Sequence, residues 1–167
     1  PDRAVDARFD GDGTLIGADL PHGGSVPGGG RLPLTLYLRG EHAATRPAVM
    51  FVHLTDDADR RLGGHDGVPA GGRHPTLQWV PGVAFADGYG LEVASVSTDT
   101  LAVLSVGFYD PEGGARRAVL GDGDRPVGDR AVLGHVMVRA APPDTARRGI
   151  EPPFAVWANG IALTRSE

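Results

Sequence analysis

The chain has 167 residues and a formal net charge of −5 at pH 7, with 16 lysine and arginine residues against 21 aspartate and glutamate residues. This length supports one domain with a sizeable core, because a chain of about 150 residues buries roughly 68–70% of its unfolded surface. The acidic balance argues against a nucleic-acid partner, which requires a clustered basic surface. Cysteine is absent, so disulfides, thiolate zinc sites and a cysteine nucleophile are excluded. No run approaches the roughly 18 apolar residues of a membrane span.

The first forty residues contain strand signals on either side of a glycine loop. Residues 5–20 alternate apolar residues about a DGDG turn, which predicts an entry strand or pair of strands. Residues 21–30, PHGGSVPGGG, predict a loop, and a phosphate cradle would require a lysine and a following helix. Residues 31–39, RLPLTLYLR, place four leucines on one face of a half-buried strand. Pro33 cannot donate a ladder hydrogen bond, so this end of the strand is predicted to lie at a sheet edge.

The central segment from Pro47 to Pro81 carries the strongest strand signal. Residues 48–55, AVMFVHLT, are apolar on both faces as far as His53, as in a strand covered on both sides. An aspartate-rich turn follows. We predict that residues 61–66 return antiparallel and that residues 67–75 form a loop that leads to a tryptophan.

Further strands are predicted downstream. Residues 83–93 alternate about a DG turn, and residues 101–109 and 131–139 form two longer strands. Helical periodicity is nowhere sustained. About nine short strands, with turn signals about every ten residues, predict an all-β fold, namely an antiparallel β-sandwich of immunoglobulin-like or jelly-roll order.

The chain divides into three predicted parts. Residues 1–141 form the β-sandwich domain, residues 142–153 a Pro- and Arg-rich linker or surface crossing, and residues 154–167 a terminal strand. The phrase FAVWANGIAL in the tail echoes FDGDGTLI near the start. The terminal strand either completes the sandwich, which we favour, begins a next repeat, or is donated to the exposed sheet edge of a neighbouring chain. The residues of this candidate assembly strand are Phe154, Val156, Trp157, Ile161 and Leu163.

Five phrases in order carry a resemblance to a known module. They are ARFDGDGTLIGADL, GGRLPLTLYLRG, FVHLTDDADRRLGGHDGVPAGGRHPTLQWVPG, VGFYDPEGGARR and DRAVLGHVMV. Together they resemble a bacterial β-sandwich module often found carboxy-terminal to multi-pass membrane glycosyltransferases of the dolichyl-phosphate-mannose mannosyltransferase-like type, or repeated in exported proteins. The resemblance covers most of residues 5–139, and its central phrase is the most specific. Residues 92–100, EVASVSTDT, depart from the module's usual Pro/Gly-rich turn.

The resemblance carries expectations about location and activity. It implies an extracytoplasmic accessory domain, periplasmic, cell-surface or secreted, that is immunoglobulin-like or carbohydrate-binding-like in shape. It implies no catalytic residues, because the transferase chemistry of such proteins lies in their membrane portion. We therefore expect a protein that is not an enzyme.

The histidines and aspartates are the candidate residues for catalysis and metal binding. The histidines form no HxH or HExxH pattern, so zinc hydrolysis has no support. His53 and His65 are predicted to face each other across the hairpin as a polar pair, while His65 and Asp66 point to opposite faces of their strand. Clustered carboxylates suit calcium, although the terminal glutamate of a twelve-residue calcium loop is missing. The candidate calcium ligands are Asp56, Asp57 and Asp59. No other cofactor is expected.

Aromatic and loop residues supply the candidates for ligand binding, which are Tyr37, Arg73, His74 and Trp79. The two aromatic residues can stack on a sugar ring, and Arg73 and His74 can supply polar contacts to a glycan. Trp79 is interpreted first as a core residue, because large aromatic side chains dominate the cores of sandwiches.

Two functions from different classes follow. The first is a non-catalytic accessory module that binds or positions a glycan, and exposure of Trp79 and Tyr37 on one face would favour it. The second is a structural or assembly module whose terminal strand joins copies of the chain, and pairing of residues 154–163 with another chain would favour it.

Overall fold

A computed structural model describes residues 1–11, 13–21 and 23–141, together with the strand positions 155–156 and 162–163. Eleven strands form two packed sheets, which confirms the predicted β-sandwich. They are β1 (Arg3–Phe9), β2 (Gly13–Asp19), β3 (Ser25–Pro27), β4 (Arg31–Gly40), β5 (Val49–Thr55), β6 (Arg61–Gly67), β7 (Ala84–Glu92), β8 (Thr100–Tyr109), β9 (Val119–Leu120), β10 (Pro126–Gly128) and β11 (Ala131–Arg139). Short 3-10 helices span Pro69–Gly72, Thr76–Gln78 and Asp122–Asp124. No helix in this described part is long and apolar enough to cross a membrane.

The connectivity of the two sheets is largely antiparallel. Sheet 1 has the order β10-β9-β1-β2-β4-β7, and sheet 2 has the order β3-β11-β8-β5-β6. Only β3 and β11 pair in parallel among these strands. The strands β2-β4-β7, facing β6-β5-β8-β11, follow the A-B-E and C′-C-F-G order of immunoglobulin-type sandwiches. The strand count exceeds the predicted nine because β3, β9 and β10 are only two or three residues long.

The core lies between the inner faces of the two sheets. The leucines of β4 alternate as predicted, and all four are buried. Phe9 of sheet 1 meets Phe108 of sheet 2 edge to face, with ring centroids 5.0 Å apart, a favoured aromatic geometry. The other large side chains with almost no exposure are Phe51, Leu15, Met50, Leu54, Leu104, Leu133 and Val52.

Strand β5 is buried on both faces, as its sequence predicts. Val52 points into the core, whereas Phe51 points outward and is still only 1% exposed. The Arg116 guanidinium lies 4.6 Å from the centre of the Phe51 ring, and the His53 ring lies 4.7 Å away. A cation–π contact and a neighbouring ring therefore cover the outer side of this strand.

One of two local predictions in the first forty residues is confirmed. Strand β4 lies between β2 and β7 over most of its length, but the register with β2 finishes at Asp19 opposite Thr35. The Pro33 end of β4 therefore pairs with β7 alone and lies at a sheet edge, as predicted. The prediction that residues 21–30 form only a loop was wrong, because Ser25–Pro27 is a strand that pairs in parallel with β11 and takes the chain into sheet 2 between β2 and β4.

The prediction of a turn at the DG dipeptide within residues 83–93 was also wrong. Strand β7 runs without interruption from Ala84 to Glu92 and pairs with β4 throughout, with Leu36 opposite Asp87 and Thr35 opposite Gly88. Tertiary pairing has overridden the local turn preference of the dipeptide.

In the tail, two short strands pair with each other. Ala155 lies opposite Leu163, and Val156 lies opposite Ala162, in an antiparallel sheet separate from the sandwich. The predicted linker 142–153 lies outside the described residues. The same is true of Phe154, Trp157 and Ile161, and of the side chains of Val156 and Leu163.

Candidate functional site

Trp79 belongs to the core. It is 6% exposed, and its ring packs edge to face against Phe85 and Phe108 at centroid distances of 5.1 and 5.9 Å. Its indole Nε1 donates a hydrogen bond of 2.9 Å to the carbonyl of His74. The geometry agrees with the core interpretation, and it anchors the loop that precedes β7.

The other three candidate ligand residues do not form one site: Arg73 and His74 are consecutive in the loop before β7, whereas Tyr37 lies on β4. The exposed His74 stacks on Phe85 at 4.8 Å. Tyr37 is half-buried on the outer face of sheet 1, where its hydroxyl donates to Asp19 Oδ2 at 2.6 Å. This hydrogen bond lowers the pKa of Asp19 and raises the pKa of Tyr37. Arg73 alone lines a cleft.

The candidate calcium aspartates form a turn. Asp56 is buried, and its carboxylate accepts hydrogen bonds from the backbone N–H groups of Ala58 and Arg60, at 3.0 and 2.9 Å, and from Arg60 Nε at 2.7 Å. Burial raises the pKa of Asp56, but these hydrogen bonds outweigh it, and the net shift is downward. Asp59 has a left-handed backbone with φ of 57°. Within the described ranges, no three His, Asp or Glu side chains are placed to hold a metal.

The predicted pairing of His53 with His65 was wrong. The register places His53 opposite Gly64 and Val52 opposite His65, so the two histidines lie on different faces of sheet 2. On the outer face, His53 Nε2 lies 2.9 Å from Asp66 Oδ1. His65 lies on the inner face, where its ring approaches the Tyr89 ring of sheet 1 at a centroid distance of 5.3 Å. The predicted separation of His65 from Asp66 is confirmed.

Ser105 extends the outer-face row of His53 and Asp66. It lies opposite His53 on β8, so a serine, a histidine and an aspartate follow one another across three strands. Ser105 is only 2% exposed, and Asp66 Oδ2 also accepts a hydrogen bond of 2.6 Å from Arg61. Acyl transfer requires space for the substrate's reacting atom beside the nucleophilic oxygen. The buried Ser105 leaves no such space, so this row of residues is not a catalytic triad.

A cleft of about 470 Å³ opens between the edge strands β6 and β7. Seven consecutive residues of β7, 86–92, form one wall, and Gly64 and His65 form the other. At one end of the cleft, Gly63 of β6 forms an antiparallel β-bridge with Val93, the residue that follows β7. Ala70, Gly71 and Arg73 of the preceding loop also line the cleft.

A buried carboxylate lies in the wall of this cleft. Asp87 is 4% exposed, and its Oδ2 accepts hydrogen bonds from the Ala70 backbone N–H, at 2.8 Å, and from the Tyr89 hydroxyl. Its Oδ1 has no hydrogen-bond partner among the described residues and is not fully enclosed. Because Asp87 lines the cleft, this oxygen is suited to accept a hydrogen bond from a ligand.

The two groups that donate hydrogen bonds to Asp87, the Ala70 N–H and the Tyr89 hydroxyl, are held in fixed positions. Ala70 has φ of 55°, a left-handed conformation that is strained for a residue with a Cβ. This conformation aims its N–H at the carboxylate. Burial and the hydrogen bond to Asp87 raise the pKa of Tyr89, so its hydroxyl remains a donor. The Tyr89 ring lies 5.3 Å from the His65 ring.

The cleft combines an aromatic ring, an imidazole, a carboxylate acceptor and the exposed Arg73 donor. Such a set, convergent on a small volume, is typical of binding sites for small polar ligands. Of these residues, only Arg73 was among the candidate ligand residues predicted from the sequence. The unbroken alternation of Phe85, Asp87, Tyr89 and Leu91 is the signal that was missed, because it places an aspartate on the inner face.

Comparisons of the chain with family models, with curated proteins and with solved structures give no match.

Proposed function

We propose that this chain is a non-catalytic, extracytoplasmic β-sandwich accessory module that binds a glycan in the cleft between β6 and β7. The observation that carries the proposal is the buried Asp87, which lines a cleft of about 470 Å³ and has one carboxylate oxygen without a hydrogen-bond partner among the described residues. Pockets of about 300–1,000 Å³ suit small ligands. The extracytoplasmic location and accessory role are proposed from the sequence resemblance.

The polar groups of the cleft suit a polyhydroxylated ligand. Asp87 Oδ1 accepts a hydrogen bond from a sugar hydroxyl, and Arg73 donates to ring or hydroxyl oxygens. The half-buried Tyr89 ring supplies an apolar surface for the C–H face of a sugar. Each charge-assisted hydrogen bond of this kind contributes about 1.5–3 kcal/mol.

The carboxylates of the cleft support binding rather than glycoside hydrolysis. Hydrolysis generally uses a pair of carboxyl groups that flank one glycosidic bond. The second carboxylate in the lining is Glu92, which lies on the opposite face of β7 from Asp87 by strand parity. Glu92 also accepts a hydrogen bond of 2.8 Å from Arg31 Nε.

Binding to an array of neutral and anionic oligosaccharides, followed by calorimetry, tests this proposal. We expect Asp87→Asn to weaken binding about 10- to 100-fold, since it removes a charged acceptor worth about 1.5–3 kcal/mol. The amide can still accept the Ala70 N–H, so folding should survive. Asp129→Asn is the matched control, because that carboxylate pairs with Arg116 away from the cleft. Absence of binding on the array, or equal binding by Asp87→Asn, contradicts the proposal.

A second candidate is a structural module whose carboxy-terminal segment joins copies of the chain. The observation that favours it is the pairing of Ala155–Val156 with Ala162–Leu163, which leaves these strands outside both sheets of the sandwich. Sedimentation velocity over a range of concentrations tests it. Self-association that is lost on deletion of residues 151–167 supports this role, and a monomer at every concentration contradicts it.

A further inference from the structure

We infer that the bound glycan is a neutral, linear oligosaccharide that leaves the cleft across β7 and continues over the outer face of sheet 1. This inference rests on the proposed function and adds the size and charge of the ligand. It requires a second binding surface beside the cleft, an open path between the two, and a charge distribution that disfavours anions.

A second depression, of about 380 Å³, supplies the further surface. Its lining includes Asp19, Pro33 and Thr35 on the ends and outer face of β2 and β4. Gly88 and Tyr89 of β7 line this depression as well as the cleft. The two cavities therefore meet at the same two residues.

The path between the cavities is open because the outer face of β7 carries almost no side chains there. Ala86 and Gly88 occupy successive outward positions, and the Arg31 side chain covers the next one, at Gly90. A Cβ placed on Gly88 would meet no atom within 4 Å. Strands lie about 4.8 Å apart, so the distance from β7 across β4 to β2 is about 10 Å, which is wider than one pyranose ring. A chain of several units is needed to occupy both cavities.

The charges of both cavities select against an anionic glycan. The lining of the cleft has two carboxylates, Asp87 and Glu92, against the one guanidinium of Arg73, and Asp19 is the charged residue of the depression. The Tyr37 hydroxyl hydrogen-bonds to Asp19 and lowers its pKa, which keeps this carboxylate ionised. An acidic sugar would bring like charges close together at each position, which is unfavourable at short range. Neutral hydroxyl groups instead donate to these carboxylates.

The test uses glucose and mannose together with their linear oligomers of two to six units, titrated by calorimetry. For the wild-type chain, we expect affinity to rise about 10-fold or more between one and four units. Gly88→Val should abolish this rise, because valine would block the path on the outer face; the measured quantity is the ratio of the affinities for four units and one unit in the same variant. Gly88 has no positive φ, and valine favours strands, so folding is expected and is checked by thermal melting. The control Ala84→Val adds the same side chain to the outer face of the same strand outside both cavities.

Each outcome is decisive. Equal affinity for one and six units, or a Gly88→Val chain that keeps the gain with length, overturns the inference and leaves the cleft proposal standing. Tighter binding of a linear uronic-acid tetramer than of the neutral tetramers overturns the assignment of charge. Absence of binding by both series contradicts the proposed function itself.

Discussion

Replacement of Trp79 by alanine is expected to destabilise the sandwich by about 3–5 kcal/mol. The indole is 6% exposed and touches Phe85 and Phe108 on opposing sheets. Burial of about 150–250 Å² of aromatic surface contributes about 4–6 kcal/mol at about 25 cal/mol per Å². The substitution also leaves the His74 carbonyl without its donor. Since a domain is stable by about 5–15 kcal/mol, this loss is a large share of the total.

Thermal unfolding followed by circular dichroism, with urea unfolding in parallel, measures the effect. A loss of about 3–5 kcal/mol corresponds to a fall of about 6–20 °C in the melting temperature for a chain of this size. Trp79→Phe should lose less, about 1–2 kcal/mol, because it keeps part of the ring packing but not the hydrogen bond. Leu77→Ala is the control, since Leu77 lies in the same loop and is 50% exposed. A loss below about 1 kcal/mol for Trp79→Ala would refute the core assignment.

Two further predictions concern sheet 2. Gly107→Ala should cost about 1–3 kcal/mol, because its Cβ would overlap the Phe51 ring and lie 3.0 Å from a backbone carbonyl; an unchanged urea midpoint would contradict this packing. Burial lowers the pKa of His53 below its usual 6.5, an effect that Asp66 offsets only in part. The unfolded chain therefore binds this proton at higher pH than the folded chain, and stability should fall as pH drops through about 6.5. His53→Gln should flatten the melting temperature between pH 7.5 and 5.5, and an equal slope in both chains would count against this account.

Much of the fold follows from alternation along single strands. The four leucines of β4 indicate its buried face, and the apolar run of β5 indicates burial on both sides, because side chains alternate strictly along a strand. Neither pattern specifies the register, that is, which residues of two neighbouring strands lie opposite each other. For that reason His53 was assigned the wrong partner, and Asp66 rather than His65 lies beside it.

The site was harder to predict than the fold because it depends on contacts between distant segments. The DG dipeptide at residues 87–88 has a strong local turn preference, and pairing with β4 overrides it. Asp87 then reaches Ala70, which is far from it in sequence but adjacent in space. Arg73 was proposed from its loop position alone, whereas Trp79 contributes by holding that loop.

The four sheet edges of the sandwich differ in their exposure to other chains. On one side, β3 and β10 are three residues each and offer few unpaired backbone groups. On the other side, β6 and β7 are seven and nine residues long, and long free edges invite aggregation. The loop at Ala70 lies against β7, fastened by Asp87. The strained backbone that shapes the cleft therefore also covers part of the longest free edge, beside Asp87, where it hinders pairing with other molecules.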